Sequence, residues 1–253
     1  MIRIILCGAN GKMGHTVSRL TQERGDCQVV AGVDLNTASS QGFPVYPEIA
    51  QVKEEADVII DFSHPSLLSS VLSYAKEKQT PIVICTTGLS DLQKGEIKKA
   101  SADVAVFFSA NMSLGINLLI NLAQKTAATL EEEFDIEIVE RHHNQKVDAP
   151  SGTALAIADA VNEAIENKKE YIYDRHSVRR KRGRNELGIH AVRGGTIVGD
   201  HTVIFAGTDE IIEIKHSATS REVFAVGAVR AALFIAHLGA GFYNMRDLIE
   251  SGE

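Results

Sequence analysis

The chain has 253 residues, 44% hydrophobic and 23% charged, a balance that supports a sizeable core and excludes wholesale disorder. A formal net charge of −7 argues against a general nucleic-acid binder, and no apolar run is long enough for a membrane span. The three cysteines, Cys7, Cys27 and Cys85, lack metal or redox spacing, and Met1 leads straight into strand-like sequence with no signal peptide. The expected setting is therefore reduced and cytoplasmic.

The first third alternates short apolar runs with helical stretches. Ile2–Cys7 reads as a buried strand, followed by a glycine-rich turn and a helix from about Lys12 to Arg24. Further strands are predicted at Gln28–Val33, Val58–Phe62, Ile82–Cys85 and Asp103–Phe108, with a helix starting near Pro65. This alternation implies parallel βαβ units with right-handed crossovers. After Asn111 the rhythm changes. A long helix, roughly Ser113 to Glu132, leads to the strand Asp135–Arg141, a polar loop, and a helix from Ser151. A basic stretch, Arg175 to Arg184, precedes strands at Ile189–Val192, Ile197–Phe205 and Glu210–His216, and a helix over Ser220–His237 closes the pattern. The expected fold is α/β: a Rossmann-type parallel-sheet domain plus an α+β domain with a mixed sheet.

Gly8-Ala9-Asn10-Gly11-Lys12-Met13-Gly14 joins the first strand to the first helix with the spacing G-x-x-G-x-x-G. Glycines permit the sharp turn and let backbone N–H groups approach a pyrophosphate, which the helix N-terminus also attracts. Asp34 ends the next strand, where a ribose-binding acid belongs. Its carboxylate would accept from both ribose hydroxyls and repel a 2′-phosphate, which favours NADH, while Lys12 either attracts a phosphate or faces solvent. Two further strand ends, Cys85-Thr86-Thr87-Gly88 and Ser109-Ala110-Asn111-Met112, should line the same crevice, since ligands of open parallel sheets sit beyond the carboxyl ends of the strands.

The segment Glu140 to Ala154 concentrates the chemistry. Within it, His142, His143, Lys146 and Asp148 crowd a loop between a strand and a helix. Histidine is the natural proton donor near neutral pH, and lysine supplies a cation that holds a carboxylate or a developing anion. Ser151-Gly152-Thr153 reads as a helix start with Ser151 as N-cap, so its first N–H groups can receive a substrate carboxylate. A metal is not expected. Adjacent His142 and His143 point apart in extended chain, and no further ligands complete a set.

These residues resemble the dihydrodipicolinate reductase family, also called 4-hydroxy-tetrahydrodipicolinate reductases, of the lysine and diaminopimelate pathway. The most specific element is His142-His143-x-x-Lys146-x-Asp148-Ala149-Pro150-Ser151-Gly152-Thr153-Ala154. Supporting elements are the Gly8–Gly14 turn, Asp61-Phe62-Ser63, Thr86-Thr87-Gly88, Asn111 with Ser113 and Gly115, and Arg193 through Gly199-Asp200-His201. The resemblance implies that His142 is the general acid and Lys146 a substrate-orienting proton donor, with His143, Gly152 and Thr153 binding a small dicarboxylate. It implies that Gly8, Ala9, Asn10, Gly11, Lys12, Met13, Asp34, Cys85, Thr86, Thr87, Ser109, Ala110, Asn111 and Met112 contact NADH or NADPH. It further implies a dinucleotide-binding domain of residues 1–112 and 217–253, a substrate-binding and tetramerisation domain of residues 113–216, and a homotetramer. Where family members often carry an arginine, this chain has Leu35 and His64, so both coenzymes remain open. Two other classes share parts of this pattern. Another two-domain dehydrogenase would keep the first domain but not the His142–Thr153 segment, and a nucleotide sensor would have no use for His142 and Lys146.

Overall fold

The computed structural model describes residues 1–38, 41–109 and 111–252. In chain order the strands and α-helices are β1 (Ile2–Cys7), α1 (Lys12–Gln22), β2 (Cys27–Val33), β3 (Val45–Tyr46), β4 (Val58–Asp61), α2 (Leu68–Lys78), β5 (Ile82–Ile84), α3 (Asp91–Ala100), β6 (Ala105–Phe108), α4 (Leu114–Leu130), β7 (Asp135–His142), α5 (Gly152–Ala164), β8 (Glu170–Ile172), β9 (Glu186–Arg193), β10 (Gly199–Ala206), β11 (Ile211–Ala218), α6 (Glu222–Ile235), β12 (Gly241–Tyr243) and α7 (Met245–Ser251). The chain divides into two compact units, Met1–Leu114 with Glu222–Glu253, and Gly115–Arg221.

The first unit is built on a seven-stranded sheet in the order β12-β6-β5-β4-β1-β2-β3, parallel throughout. Its strands read as unbroken apolar runs because both faces are covered. Ile4 and Leu6 of β1 face a core shared with Val17 of α1 and Ala225, Ala228 and Ala232 of α6. Ile5 and Cys7 face the opposite core, with Val71 and Ala75 of α2 and Ile97 of α3. The helix expected at Ser220–His237 thus returns to this unit as α6. Its small residues permit close approach: a Cβ on Gly227 would lie 1.7 Å from the Met112 carbonyl oxygen.

Five elements were not placed by the sequence: α3, with its Ser90–Gln93 capping box, and β3, β8, β12 and α7. The three strands span only two or three residues each, too few to set a period. Helix α7 is set by Asn244 rather than by periodicity. The Asn244 side chain accepts from the Arg246 N–H and the Asp247 carboxylate takes the Asn244 N–H, a reciprocal cap.

The second unit carries a five-stranded sheet in the order β11-β10-β7-β9-β8. Strand β10 is antiparallel to both neighbours, whereas β7, β9 and β8 run parallel, so the sheet is mixed. Strand β7 alternates strictly: Ile136, Ile138, Glu140 and His142 are buried, and the intervening residues half-buried. Ile136 and Ile138 join Val203 and Phe205 of β10 under Leu119 and Ala123 of α4 and Ile157 and Val161 of α5. The helices therefore cover one face of the sheet. The last two core-facing positions of β7, Glu140 and His142, break the apolar pattern.

The basic stretch is not a free cationic loop. Arg175 reaches Glu186 at 2.6 Å and Glu137 at 2.7 Å, Arg180 reaches Glu186 at 3.1 Å, and Arg182 reaches Asp135 at 2.6 Å and Glu137 at 2.9 Å. Three of its arginines are thus engaged in clamping the N-terminal halves of β7 and β9, which leaves less charge for steering an anionic substrate.

Candidate active site

The glycine turn of the first unit is fixed by backbone crowding. Gly8 has φ +75°, and a Cβ there would lie 2.5 Å from the Phe62 carbonyl oxygen; a Cβ on Gly14 would lie 2.3 Å from the oxygens of both Gly8 and Ala9. Gly11 caps α1 with extended geometry and no side-chain cap, so the first-turn N–H groups point outward as an anion cradle. Gly8→Ala is expected to cost about 2 kcal/mol or more, because left-handed strain alone contributes about 1–2 kcal/mol and the clash adds to it. Equilibrium denaturation checks this, and a change under 0.5 kcal/mol would contradict the turn geometry.

Asp34 follows β2, and its carboxylate accepts the N–H groups of Asn10 and Asn36, both at 3.0 Å. Gln41 Nε2 ties the turn from outside, donating to the Ala9 carbonyl at 2.9 Å and to Asn10 Oδ1 at 3.1 Å. Ala9 is fully buried and Met13 packs on the same core, so of these two only the backbone faces a ligand site; Lys12 is exposed.

At the end of β5, Cys85 and Thr86 are buried and Thr87 is exposed. Burial, with the nearby Asp61 adding to it, pushes the Cys85 thiol well above its ordinary value, so it stays a neutral packing group. Thr86 Oγ1 donates to the fully buried Asp61 carboxylate at 2.9 Å, and the Ser63 N–H donates to the same carboxylate at 3.0 Å. Asp61 thus ties the loops after β4 and β5 together. At the next strand end, Ser109 Oγ donates to the Asn111 carbonyl at 3.0 Å, Asn111 Oδ1 accepts the Ser113 N–H at 2.8 Å, and Met112 is buried. Ala110 lies outside the described residues.

In the second unit, His142 ends β7 and is nearly buried. Its Nδ1 lies 2.7 Å from Glu140 Oε2. His143 is half-buried in the following loop, and Lys146 pairs with Asp148 at 2.8 Å. Ser151 caps α5, its hydroxyl accepting the Ala154 N–H at 3.1 Å. Gly152 is exposed with open space where a Cβ would stand, and Thr153 is half-buried beside it. The arrangement supplies a ring that can carry a proton, a cation, and a helix N-terminus whose Gly152 N–H already meets a carboxylate, that of Asp148.

Three residues outside the sequence-derived set complete this cluster. Glu140, fully buried, lies opposite His201 in the β7–β10 register, and Arg193 lies opposite His142 across β9. Arg193 grips Glu140 with two bonds of 2.7 Å. His201 is 4% exposed, holds Ser151 Oγ at 3.1 Å, and meets the His142 ring edge-on at 5.2 Å. The signal was present in the sequence: the period of two along β7 puts Glu140 and His142 in phase with Ile136 and Ile138, a carboxylate and an imidazole on a core face.

A parallel-sheet unit with a glycine turn, joined to a mixed-sheet unit bearing a proton donor and an anion cradle, defines a two-unit nicotinamide-dependent oxidoreductase. Residues 2–112 match the model described as Dihydrodipicolinate reductase, N-terminus, and residues 115–249 match its counterpart, Dihydrodipicolinate reductase, C-terminus. The chain belongs to the dihydrodipicolinate reductase family. It is 54% identical over 252 residues to the 4-hydroxy-tetrahydrodipicolinate reductase of Caldanaerobacter subterraneus subsp. tengcongensis, with 100% of both chains covered. To the same-named protein of Clostridium tetani it is 50% identical, covering 99% of this chain and 98% of that one. The fold is similar to that of a dipicolinate-bound dihydrodipicolinate reductase from Paenisporosarcina sp. TG-14, at TM-score 0.82 and 24% identity over 96% of this chain and 97% of that one. An aspartate dehydrogenase from Thermotoga maritima shares the fold more loosely, at TM-score 0.52 and 12% identity over 91% and 95% of the two chains.

Proposed function

We propose that this chain reduces 4-hydroxy-tetrahydrodipicolinate to tetrahydrodipicolinate with NADH or NADPH, the reductive step toward diaminopimelate and lysine. The observation that carries this reading is the single loop that joins His142, Lys146 and the N-terminus of α5, a combination suited to a small dicarboxylate needing a proton.

The residues of the first unit fit a dinucleotide. The turn is packed so closely at Gly8 and Gly14 that backbone leaves no room for a side chain, and α1 offers its first N–H groups without a side-chain cap. When bound, the nicotinamide supplies a hydride. The chain's own residues do the rest. The α5 N-terminus at Gly152-Thr153, with His143 and Lys146, holds the two carboxylates of the cyclic substrate. Loss of water from the hydroxylated precursor leaves a conjugated imine, reduced at the ring carbon at the far end of the conjugation. His142 delivers the proton that the resulting enamine takes up, so one hydride and one proton are added in all.

Asp34 is the ribose anchor, and neither sequence position that often carries an arginine supplies a cation here. Leu35 is 85% exposed and apolar, and His64 Nδ1 is turned to Ser66 at 3.0 Å. NADH is therefore preferred, with NADPH accepted. Asp34→Ala should raise KM for NADH about tenfold while leaving that for NADPH unchanged or lower, as loss of a charged hydrogen-bond partner predicts. An equal change in both would remove Asp34 from coenzyme choice.

No helix among the described residues is long and apolar enough to cross a membrane; the protein works in the cytoplasm. The outer face of the second unit's sheet carries Val139, Val192, Ile204 and Ile211 between charged residues such as Glu137, Arg141 and Glu213, with Ile211 67% exposed, and a homotetramer would assemble through this mixed face. The activity is tested by following nicotinamide oxidation with freshly generated dehydratase product and each coenzyme separately. Oxidation is expected with both, and none with either would overturn the assignment.

A further inference from the structure

We infer that Glu140, clamped by Arg193, is the positioning residue of this site: one carboxylate fixes both the proton donor His142 and the substrate-binding end of α5. Both of its oxygens are fully committed. Oε2 accepts from His142 Nδ1 and from Arg193 Nη1, each at 2.7 Å. Oε1 accepts the Ser151 N–H at 2.9 Å and Arg193 Nη2 at 2.7 Å. Arg193 Nη2 reaches on to the Asp148 carbonyl at 2.6 Å, so the clamp also holds the loop that carries Lys146. A buried carboxylate with four donors, two of them from one bidentate guanidinium, has its desolvation offset by hydrogen bonds of fixed direction.

The consequence for His142 follows from what Glu140 can do. Burial pushes its carboxyl up, but the bonds from Arg193, His142 and the Ser151 N–H outweigh burial and hold it below the ordinary glutamate value. An ionised carboxylate only accepts, so Nδ1 of His142 is the donor in that pair. Nε2 is then the nitrogen left to exchange a proton with a substrate. Space around Nε2 is kept by Gly199, where a Cβ would lie 3.0 Å from that atom. His201, whose ring meets that of His142 edge-on, holds the Ser151 hydroxyl, so the cap of α5 is anchored through both its amide and its side chain. Acid and anion cradle are referenced to one rigid group. A mere stability pair would have no need to reach both.

This inference rests on His142 being the proton donor, and its test separates the two. In protein labelled with 15N-histidine, and with His142→Asn to identify the signal, the neutral His142 ring should be the Nδ1–H tautomer; the Nε2–H tautomer would overturn the inference without any change at Glu140. In parallel, Glu140→Gln should lower kcat about 10- to 100-fold and raise KM for the dicarboxylate, with the dissociation constant for NADH unchanged. Arg193→Lys, which keeps the charge but not the two-pronged grip, should fall between. If Glu140→Gln leaves kcat and KM unchanged while His142→Asn does not, the positioning role is wrong and the function stands. If His142→Asn itself leaves kcat unchanged, the reading beneath both is wrong.

Discussion

His142→Asn lowers kcat by about 10²- to 10⁴-fold, the range that a positioned general acid contributes, and leaves NADH affinity unaltered. The separation is expected because the groups proposed to bind the nucleotide, Gly8 to Met13 and Asp34, all belong to the first unit, whereas His142 belongs to the second. Asparagine is the informative replacement. It keeps a polar N–H near Glu140 Oε2, 2.7 Å from His142 Nδ1 in the native site, and so limits the cost of leaving a buried carboxylate unpartnered, but it cannot carry the proton. Steady-state kinetics together with a fluorescence titration of NADH reads both quantities. A near-normal kcat would remove His142 from the chemistry.

Folding stability falls by about 3 kcal/mol between pH 7 and pH 4 because of His201 alone. Burial, reinforced by the neighbouring His142, pushes its imidazole from the ordinary 6.5 down to about 4. Between these two values the unfolded chain binds a proton that the folded chain refuses, so stability rises with pH through that window and is lost as pH falls. At about 1.4 kcal/mol per pH unit, a depression of this size gives the figure stated. Glu140 and Asp61 are also perturbed by folding. Glu140, held below its ordinary value, loses its contribution only as pH falls through that lowered value. Asp61, raised by burial despite bonds from Ser63 and Thr86, acts in the opposite sense and favours the folded state at low pH. His201→Gln isolates the histidine, since the other two cancel in the comparison with wild type. Denaturation midpoints at pH 4.5 and 7 should differ less in the variant than in wild type, and equal differences would show that His201 does not titrate on unfolding.

Much of this architecture is legible in the sequence because its strongest signals are local. The run Ile2–Cys7 followed by Gly8 and Gly14 admits one reading: a strand buried on both faces leading into a turn that excludes side chains. The His142–Thr153 loop is equally visible, since its cations, proton donors and helix cap are contiguous. What escaped depends on pairing across strands. Glu140 and His142 are two residues apart, but Arg193 and His201 join them only through the β7–β9 and β7–β10 registers, and no local pattern states a register. The ion pairs of the basic stretch are hidden for the same reason. Arg175 and Arg182 look like surplus charge until Glu137 is brought to them by the fold, 38 and 45 residues away in sequence. The edge strands β3, β8 and β12 are too short for any period to show.

The account stands most directly on where the hydride goes. With NADH carrying deuterium at the transferable position and freshly generated dehydratase product, mass spectrometry of the reduced acid should find one deuterium, on the ring carbon at the far end of the original conjugation. Label at another position, or coenzyme oxidised with no label in the acid, would contradict it.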